Sequence, residues 1–325
     1  MTLRPRLMAS AGAVLMLTGV AACDAGDAEF PSDRFELIVP YNPGGSNDTA
    51  GRLLASEVES ISGQQVVVVN RPGGGAAVGI TEAMSAPADG YNMVITPNSA
   101  FASVPLVQEV SYTPEDFRSV GPLYDQPHII VSHKDSDIQS LDDLEQVTDR
   151  ITYTILAQGH VTHLSLGSVL NDMGLEAEPV PYDSATDSLQ AVTSGQVDVG
   201  IIDMNIAVPQ VESGDVTALA INTEERHPAF PDIESLVEAG YPDGAGYLSC
   251  NMISVPADTP DEVATELQSL LTEAYESEAY QQFMEENYLL EPEYEGAAFI
   301  EEFIPEERER LVAAFDDLGI ERIDG

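Results

Sequence analysis

Residues 36–96 read ELIVPYNPGGSNDTAGRLLASEVESISGQQVVVVNRPGGGAAVGITEAMSAPADGYNMVIT, and this stretch decides the fold. It contains two glycine-rich turns, at residues 43–48 and 70–75, and each lies between a short β-branched strand and a helical pattern. Backbone N–H groups at a helix start have no partner within the helix, so such turns bind anions without Lys or Arg. The stretch therefore predicts a βαβαβ unit that binds a carboxylate.

The first 22 residues have the form of a bacterial export signal. Two arginines precede an apolar run at residues 7–20, which is too short for a confident membrane span. The run ends in VAAC at residues 20–23, a lipobox pattern that would leave lipid on Cys23 after cleavage. An ordinary secretory peptide with an incidental Cys fits less well, because Cys23 stands where cleavage would end. We expect a lipid-anchored protein of the cell envelope, at the outer face of the cytoplasmic membrane or in the periplasm, with an acidic tether at residues 23–32.

The charge excludes some classes of function. The chain has 12 Lys and Arg against 56 Asp and Glu, which gives a net charge of −44, and Lys134 is its only lysine. This charge repels nucleic acid and destabilises a compact fold in dilute buffer, so we predict no nucleic-acid partner and a halophilic or salt-tolerant source. No D-x-[DN]-x-[DN]-G calcium loop occurs, which favours a solvated acidic surface. With Cys23 lipidated, Cys250 has no disulfide partner and is predicted to be a buried small hydrophobe.

Strand and helix patterns alternate along the chain, which predicts an α/β fold with parallel strands. Further strands are expected near residues 129–132, 151–155, 179–182, 197–202, 216–221 and 248–255, with helices between them. A helical tail follows, with Thr259 as its predicted N-cap and Pro260 as its first residue. We predict two α/β domains, residues 33–127 with 253–325 and residues 128–252. A chain that crosses twice between domains forms a hinge with a cleft beside it.

Neither glycine-rich turn carries a nucleotide or catalytic signature. The first lacks the Gly-Lys-Ser/Thr of a P-loop, and Asp48 stands where a G-x-S-x-G nucleophile elbow has its last glycine. The second has Val78 where a dinucleotide fingerprint has its third glycine. Plain helix capping would also explain each turn. The turns therefore favour an anion site and give only weak support to an NAD site.

A second polar cluster, QGHVTH at residues 158–163, precedes a predicted helix in the middle of the chain. His160 and His163 are spaced i, i+3, and with Asp203 they make a conceivable three-ligand metal site. An anion-binding helix start explains the same histidines without a metal. Asp203 ends an apolar strand, a usual place for a ligand residue in an open α/β sheet, although a helix cap would also explain it. We expect no metal and no cofactor.

Motifs in one fixed order cover nearly all of the chain beyond the tether. They are VPYNPGG with Asp48 and Arg52, GQQVVVVNRPG with Gly79, DGY, THL, VPY, GQVD and PADTP, beginning at residues 39, 63, 89, 162, 180, 195 and 256. This ordered set resembles the extracytoplasmic solute-binding proteins of tripartite tricarboxylate transporters, also called the Bug family.

The resemblance implies a type II periplasmic-binding-protein fold, in which two α/β domains joined by a hinge close on a small organic acid in the ligand cleft between them. One wall of the cleft would be formed by Tyr41, Pro43, Gly44, Gly45, Ser46, Asp48, Thr96, Asn98 and Ser99. The other wall would be formed by Gly159, His160, Thr162, His163 and Asp203. In amino-acid-binding relatives the Asp that matches Asp203 holds the substrate amino group, so an amino-acid ligand remains open.

Three departures from the family pattern bear on the substrate. Asp183-Ser184 follows VPY where Lys-Gly is frequent, Cys250 stands where Trp or Tyr is frequent, and GHVT replaces Gly-Ser-x-Ser before His163. The predicted function is a receptor, not an enzyme, which captures a small carboxylate and delivers it to the large and small membrane subunits of a transporter. Two alternatives remain: a lipid-anchored metal-dependent hydrolase using His160, His163 and Asp203, and a ligand sensor for a membrane kinase.

Overall fold

The computed structural model describes residues 30–294 and 296–323. The predicted signal peptide, residues 1–22, and the predicted lipidation at Cys23 lie outside these residues. None of the helices in the described part of the chain has the length and apolar content that a membrane crossing requires.

Within the described residues, ten strands form two five-stranded sheets. The strands are β1 Phe35–Val39, β2 Val66–Asn70, β3 Asn92–Pro97, β4 Phe117–Gln126, β5 His128–His133, β6 Ile151–Ile155, β7 Ala177–Pro181, β8 Val199–Asp203, β9 Val216–Ile221 and β10 Ser249–Pro256. The first sheet has the order β2-β1-β3-β10-β4, and the second has the order β7-β6-β8-β5-β9. In each sheet three strands are parallel, and one further strand runs antiparallel to both of its neighbours. The predicted architecture of two α/β domains is confirmed.

Helices connect the strands in the alternation that the sequence predicts. They are α1 Ser46–Ser62, α2 Ala77–Met84, α3 Asn98–Phe101, α4 Val104–Val107, α5 Leu141–Glu145, α6 Val161–Asp172, α7 Ala185–Thr193, α8 Met204–Ser213, α9 Asp261–Tyr275, α10 Glu278–Glu286 and α11 Ile304–Asp317. A π-helical turn, Phe299–Phe303, leads directly into α11.

Helices α5 and α7 each begin after a serine that caps them, and one helix cap predicted from the sequence was wrong. Ser140 and Ser184 cap α5 and α7, since each hydroxyl accepts a hydrogen bond from the backbone N–H three residues later. The prediction that Thr259 caps the C-terminal region was wrong by one residue, because Pro260 is the N-cap and α9 begins at Asp261. The Thr259 hydroxyl instead donates to the Pro256 carbonyl, 2.8 Å away, and closes the turn between β10 and α9.

Apolar residues on α1 and α9 cover one face of the first sheet. Leu54 and Leu267 are fully buried there, and each such side chain contributes about 1.5–3 kcal/mol of burial free energy. Gly51 allows α1 to lie close to the sheet, because a Cβ at this position would be 3.0 Å from the Ile95 side chain. In the second sheet, α6 packs Leu166 and Leu170 into the corresponding core.

The chain passes between the sheets at two places, from β4 to β5 through Pro127 and from β9 to β10. Helix α11 packs its Leu311 and Phe315 against Val161 and Leu164 of α6. The C-terminal helix therefore lies against the unit that contains the second sheet. The domain limits stay a proposal, and the predicted second break, between residues 252 and 253, falls inside β10.

Candidate functional site

The loop after β1 is shaped by the carboxylate of Asp48. Its Oδ2 accepts hydrogen bonds from the Gly44 N–H at 2.9 Å and from Arg52 Nε at 3.0 Å. Its Oδ1 accepts one from Asn70 Nδ2 at 2.8 Å. Burial alone would raise the pKa of Asp48, but these hydrogen bonds and the Arg52 charge hold it below its usual range. Asp48 thus uses both oxygens to position the loop.

The same loop leaves the start of α1 open. Gly45 is the N-cap, in an extended conformation, and no side chain caps the helix. Gly44 has φ 89°, a left-handed conformation that favours glycine, and both glycines are exposed. The first N–H groups of α1 therefore have no side-chain acceptor, and such free donors are what an anion site requires.

The second glycine-rich turn differs from the sequence expectation, because the first N–H groups of α2 are used inside the turn. The N–H of Ala77 donates to the Gly74 carbonyl and that of Val78 to the Gly73 carbonyl, at 3.2 and 3.3 Å. Gly79 lies against β1, since a Cβ there would be 2.8 Å from the Pro40 Cβ. This turn sets the packing of α2 on the sheet, and its helix start is not an open anion site.

The end of β3 and the start of α3 bring further predicted residues next to the first turn. Thr96 and Asn98 are buried: the Thr96 hydroxyl shares a 2.7 Å hydrogen bond with the Ser254 hydroxyl, and Asn98 Nδ2 donates to the Leu248 carbonyl at 3.1 Å. Both side chains thus connect β3 to the β10 segment. Ser99 is half-buried and forms a hydrogen bond with Tyr41, which partly offsets the burial that raises the pKa of Tyr41.

The cluster at the start of α6 fixes the tautomers of both histidines. His160 is the N-cap, and its Nδ1 accepts a hydrogen bond from the Thr162 N–H at 3.3 Å. His163 Nδ1 accepts one from the Gly159 N–H at 3.0 Å. Each neutral ring therefore carries its proton on Nε2, which is a donor. Burial lowers the pKa of both histidines to about 4, so both are neutral at pH 7.

Asp203 follows β8 directly and meets residues that the sequence analysis missed. His128 Nε2 lies 3.4 Å from Asp203 Oδ1, and Gln126 forms a side-chain hydrogen bond with the same carboxylate. Burial raises the pKa of Asp203, while nearby His160 and the Gln126 hydrogen bond oppose the shift. Burial also lowers the pKa of His128 to about 4. The sequence contained a signal that these two residues belong to the site, because Gln126 and His128 flank the proline at which the chain crosses between the sheets.

Tyr124 connects the two predicted walls. It is buried in β4, and its pKa is raised well above the usual value by burial first and then by the nearby Tyr41 and Asp203. Tyr41 belongs to the first predicted wall and Asp203 to the second. One residue of each predicted wall therefore lies near Tyr124, close to the β4–β5 crossing.

In the described part of the chain, no group of three His, Cys, Asp or Glu side chains is arranged to hold a metal ion. The Nδ1 atoms of His160 and His163 each face an N–H group of their own helix start. Asp203 approaches His128 rather than completing a cluster with His163.

A cavity of about 600 Å³ is lined by none of the predicted site residues. It is lined by the crossing strands β4 and β10, by residues 223–228 and by the segment that leads into α11. The cavity lining is strongly acidic, which disfavours an anionic ligand there.

Comparison with protein families gives one match. The family described as "Tripartite tricarboxylate transporter family receptor" matches residues 50–320 of this chain. Among curated proteins, BugT of Bordetella pertussis is 29% identical over 283 residues, which cover 84% of this chain and 86% of BugT. A second protein of Bordetella pertussis, described as a UPF0065 protein, is 27% identical over 307 residues, 93% of this chain and 94% of that protein.

Solved structures with the same fold cover almost the whole described chain. The Rpa4515 protein of R. palustris, solved with adipate, superimposes with a TM-score of 0.77 at 25% identity, over 90% of this chain and 99% of that one. The periplasmic binding protein BugD superimposes with a TM-score of 0.74 at 23% identity, over 90% of this chain and 99% of that one. These comparisons confirm the predicted family and the predicted two-domain binding fold.

Proposed function

The chain belongs to the tripartite tricarboxylate transporter receptor family, a family of extracytoplasmic solute-binding receptors and not of enzymes, and from this premise we propose that its ligand is a small dicarboxylate. The transporter's large and small membrane subunits are the partners that receive it. The open start of α1 is the observation that carries the ligand class. There, exposed Gly44 and Gly45 precede a helix whose first turn has no side-chain cap.

The start of α1 can attract an anion, although the net charge of the protein repels one. The net charge of −44 leaves few cations for ligand binding, and Arg52 is already paired with Asp48 at 2.9 Å. Backbone N–H groups and the partial positive charge of a helix start are then the available source of anion attraction. In our proposal one carboxylate of the ligand accepts hydrogen bonds from the Gly45 N–H and from the first N–H groups of α1, because the Gly44 N–H already donates to Asp48.

The second wall supplies neutral donors for the other end of the ligand. His160 carries its proton on Nε2 and is half-buried, so it presents a donor that stays uncharged at pH 7. The relative solved with adipate supports a ligand with two separated carboxylates. We therefore place the distal carboxylate at the start of α6, with Asp203 holding Gln126 and His128 in position nearby.

The experiment is a calorimetric titration with adipate in concentrated salt. It compares the adipate affinity of the mature protein with that of two variants at Gly45. Gly45→Pro deletes one N–H, and the observed φ of −80° at Gly45 is close to the value that proline imposes. Gly45→Ala keeps the N–H, and a Cβ there would come no nearer than 3.9 Å to other atoms.

We expect Gly45→Pro to weaken adipate binding by about tenfold or more, the usual cost of one lost hydrogen bond to a charged group. Gly45→Ala is expected to bind within about twofold of the parent. Equal affinities for the two variants, with both proteins folded by circular dichroism, would remove the α1 start from the proposed site.

Two further predictions from the sequence, the lipid anchor and the membrane partner, are also part of this proposal. We propose that Cys23 is lipidated, and a palmitate label lost in the Cys23→Ala variant tests this. A sensor for a membrane kinase would use the same cleft with a different partner, so co-purification with the large and small transporter subunits separates those two functions. The family assignment supports the receptor rather than the metal-dependent hydrolase.

A further inference from the structure

The 600 Å³ cavity has the size of a small-molecule site, since ligand pockets typically enclose about 300–1,000 Å³. It lies where the crossing strands β4 and β10 meet residues 223–228 and the π-helical turn before α11. It is therefore lined by segments from both sides of the hinge. The proposed carboxylate site does not share any lining residue with it.

The lining is acidic. Carboxylate side chains outnumber guanidinium groups by seven to two. Both arginines are already paired: Arg226 Nε contacts Glu238 at 2.7 Å, and Arg310 contacts Glu307 and donates to the Gly246 carbonyl. The cavity consequently presents uncompensated negative charge and favours a cationic ligand.

Two lining carboxylates are buried with an unused oxygen. Asp125 is 5% exposed and Glu307 is 2% exposed, and Asp125 Oδ1 and Glu307 Oε1 have no hydrogen-bond partner. Asp125 forms hydrogen bonds with Cys250 and with the Glu293 backbone, and Glu307 pairs with Arg310. A buried carboxylate is costly where its charge is not fully compensated, and a cation in the cavity would offset that charge.

Aromatic rings line the same cavity. The rings of Tyr294 and Phe303 have centroids 4.9 Å apart, and those of Phe299 and Phe303 are 5.6 Å apart. Aromatic faces bind organic ammonium groups through cation–π attraction. Among residues 30–294 and 296–323, no three His, Cys, Asp or Glu side chains cluster as metal ligands, so the lining suits an organic cation better than a metal ion.

We propose that this cavity binds a small organic ammonium ion, with Asp125 and Glu307 as its counter-charges and Tyr294 and Phe303 as its aromatic wall. The proposal does not depend on the carboxylate site. Because the crossing strands line the cavity, an occupant would contact both sides of the hinge.

The experiment titrates the mature protein with choline, and in parallel with dimethylbutanol, the uncharged isostere of choline, at one fixed high salt concentration. Choline should bind, whereas the isostere should bind at least about tenfold more weakly, because it lacks the charge. Failure of choline to bind, or equal binding of the two compounds, overturns the proposal.

Variants locate the site. Asp125→Asn and Phe303→Leu should each weaken choline binding by about tenfold, the former by removing a buried counter-charge and the latter by removing a ring. Glu309→Gln, an exposed change on α11 that does not reach the cavity, is the matched control and should bind as the parent does. Circular dichroism melting of each variant reports folding independently of the carboxylate site. Choline binding that survives both substitutions places the cation elsewhere and contradicts the proposal.

Discussion

His128 and Asp203 lie opposite each other in the antiparallel pairing of β5 with β8, and the His128 Nε2 atom is 3.4 Å from Asp203 Oδ1. Burial keeps this histidine neutral at pH 7, because it lowers the pKa of His128 to about 4. The pair therefore is not a strong ion pair. Asp203 is an acidic group near the second wall of the proposed site, and its ionised form would repel a dicarboxylate.

Replacing Asp203 by Asn should strengthen adipate binding. The change preserves the shape and removes a like charge, which is worth about 0.5–1.5 kcal/mol, or several-fold in affinity, in a partly screened site. Calorimetry with adipate and with aspartate checks this expectation. An aspartate affinity that exceeds the adipate affinity in the parent and disappears in Asp203→Asn would instead identify an amino-acid ligand whose ammonium group Asp203 holds.

Replacing Asp48 by Ala should lower the free energy of unfolding by about 1–3 kcal/mol and weaken adipate binding, because Gly44, Arg52 and Asn70 lose their shared acceptor. The pKa of Asp48 is depressed in the folded state, so its contribution to stability is present above the unfolded pKa and is lost as pH falls through the folded pKa. Urea unfolding at neutral and acid pH measures both effects. Glu57→Gln on the same helix is the control, and an equal loss in that variant would contradict a role for Asp48 in the loop.

Replacing Gly159 by Ala should destabilise the protein by about 1–3 kcal/mol. A Cβ at this position would lie 2.5 Å from the Phe315 ring, which packs α11 onto the start of α6, and φ is +75°. Gly174→Ala is the matched control, since it has φ +70° and open space around the added Cβ. Thermal unfolding of both variants separates backbone strain from the clash. If the two variants lose equal stability, the close contact between Gly159 and α11 does not contribute to the loss.

The order of strands and helices was largely predictable because most parallel strands, such as β2 and β6, are short β-branched runs followed by a helical pattern. The strand β4 was missed, although it has ten residues. Its sequence FRSVGPLYDQ contains a glycine and a proline that argue against an interior strand. The pairing with β10 accommodates them through register shifts at Asn251/Met252 and Ile253/Ser254, which only the tertiary structure specifies.

The candidate site was predictable where a local turn produces it and not where strands from distant sequence meet. The open start of α1 follows from local glycines, which the motif shows directly. The contact of Gln126 and His128 with Asp203 depends on β5 pairing antiparallel to β8, about 70 residues along the chain. The second glycine turn resembles the first in sequence, but its N–H groups are used internally, a difference that glycine content does not reveal.

Stability and ligand capture should both increase with salt. The net charge of −44 creates self-repulsion that salt screens, and the same negative field opposes the approach of a dicarboxylate. Circular dichroism melting and adipate titration over a series of NaCl concentrations measure the two effects. Potassium chloride is the control for specific ions. Adipate affinity that falls steadily as salt rises, in a protein that stays folded, would contradict a halophilic origin of the charge and this account of the site.

Asp125 should make stability depend on pH near neutrality. Burial is the main cause that raises its pKa to about 7, with Glu293 adding to the shift, while the hydrogen bonds from Cys250 and the Glu293 backbone oppose it. Because the folded-state pKa exceeds the unfolded value, the folded protein retains the proton longer. The stabilisation is complete below the unfolded pKa, declines as pH rises and is lost once pH passes about 7.

The measurement is the difference between the free energies of unfolding of the parent and of Asp125→Asn, taken from about pH 4 to pH 8. The contributions of the other titrating groups largely cancel in this difference. We expect this difference to fall over that range and to become flat above about pH 7. Asp258→Asn, an exposed change in the turn after β10, is the control and should give a nearly constant difference. A constant difference for Asp125→Asn as well would mean that Asp125 is ionised throughout. Choline present in the cavity should then move the decline to lower pH, because the cation favours the ionised carboxylate.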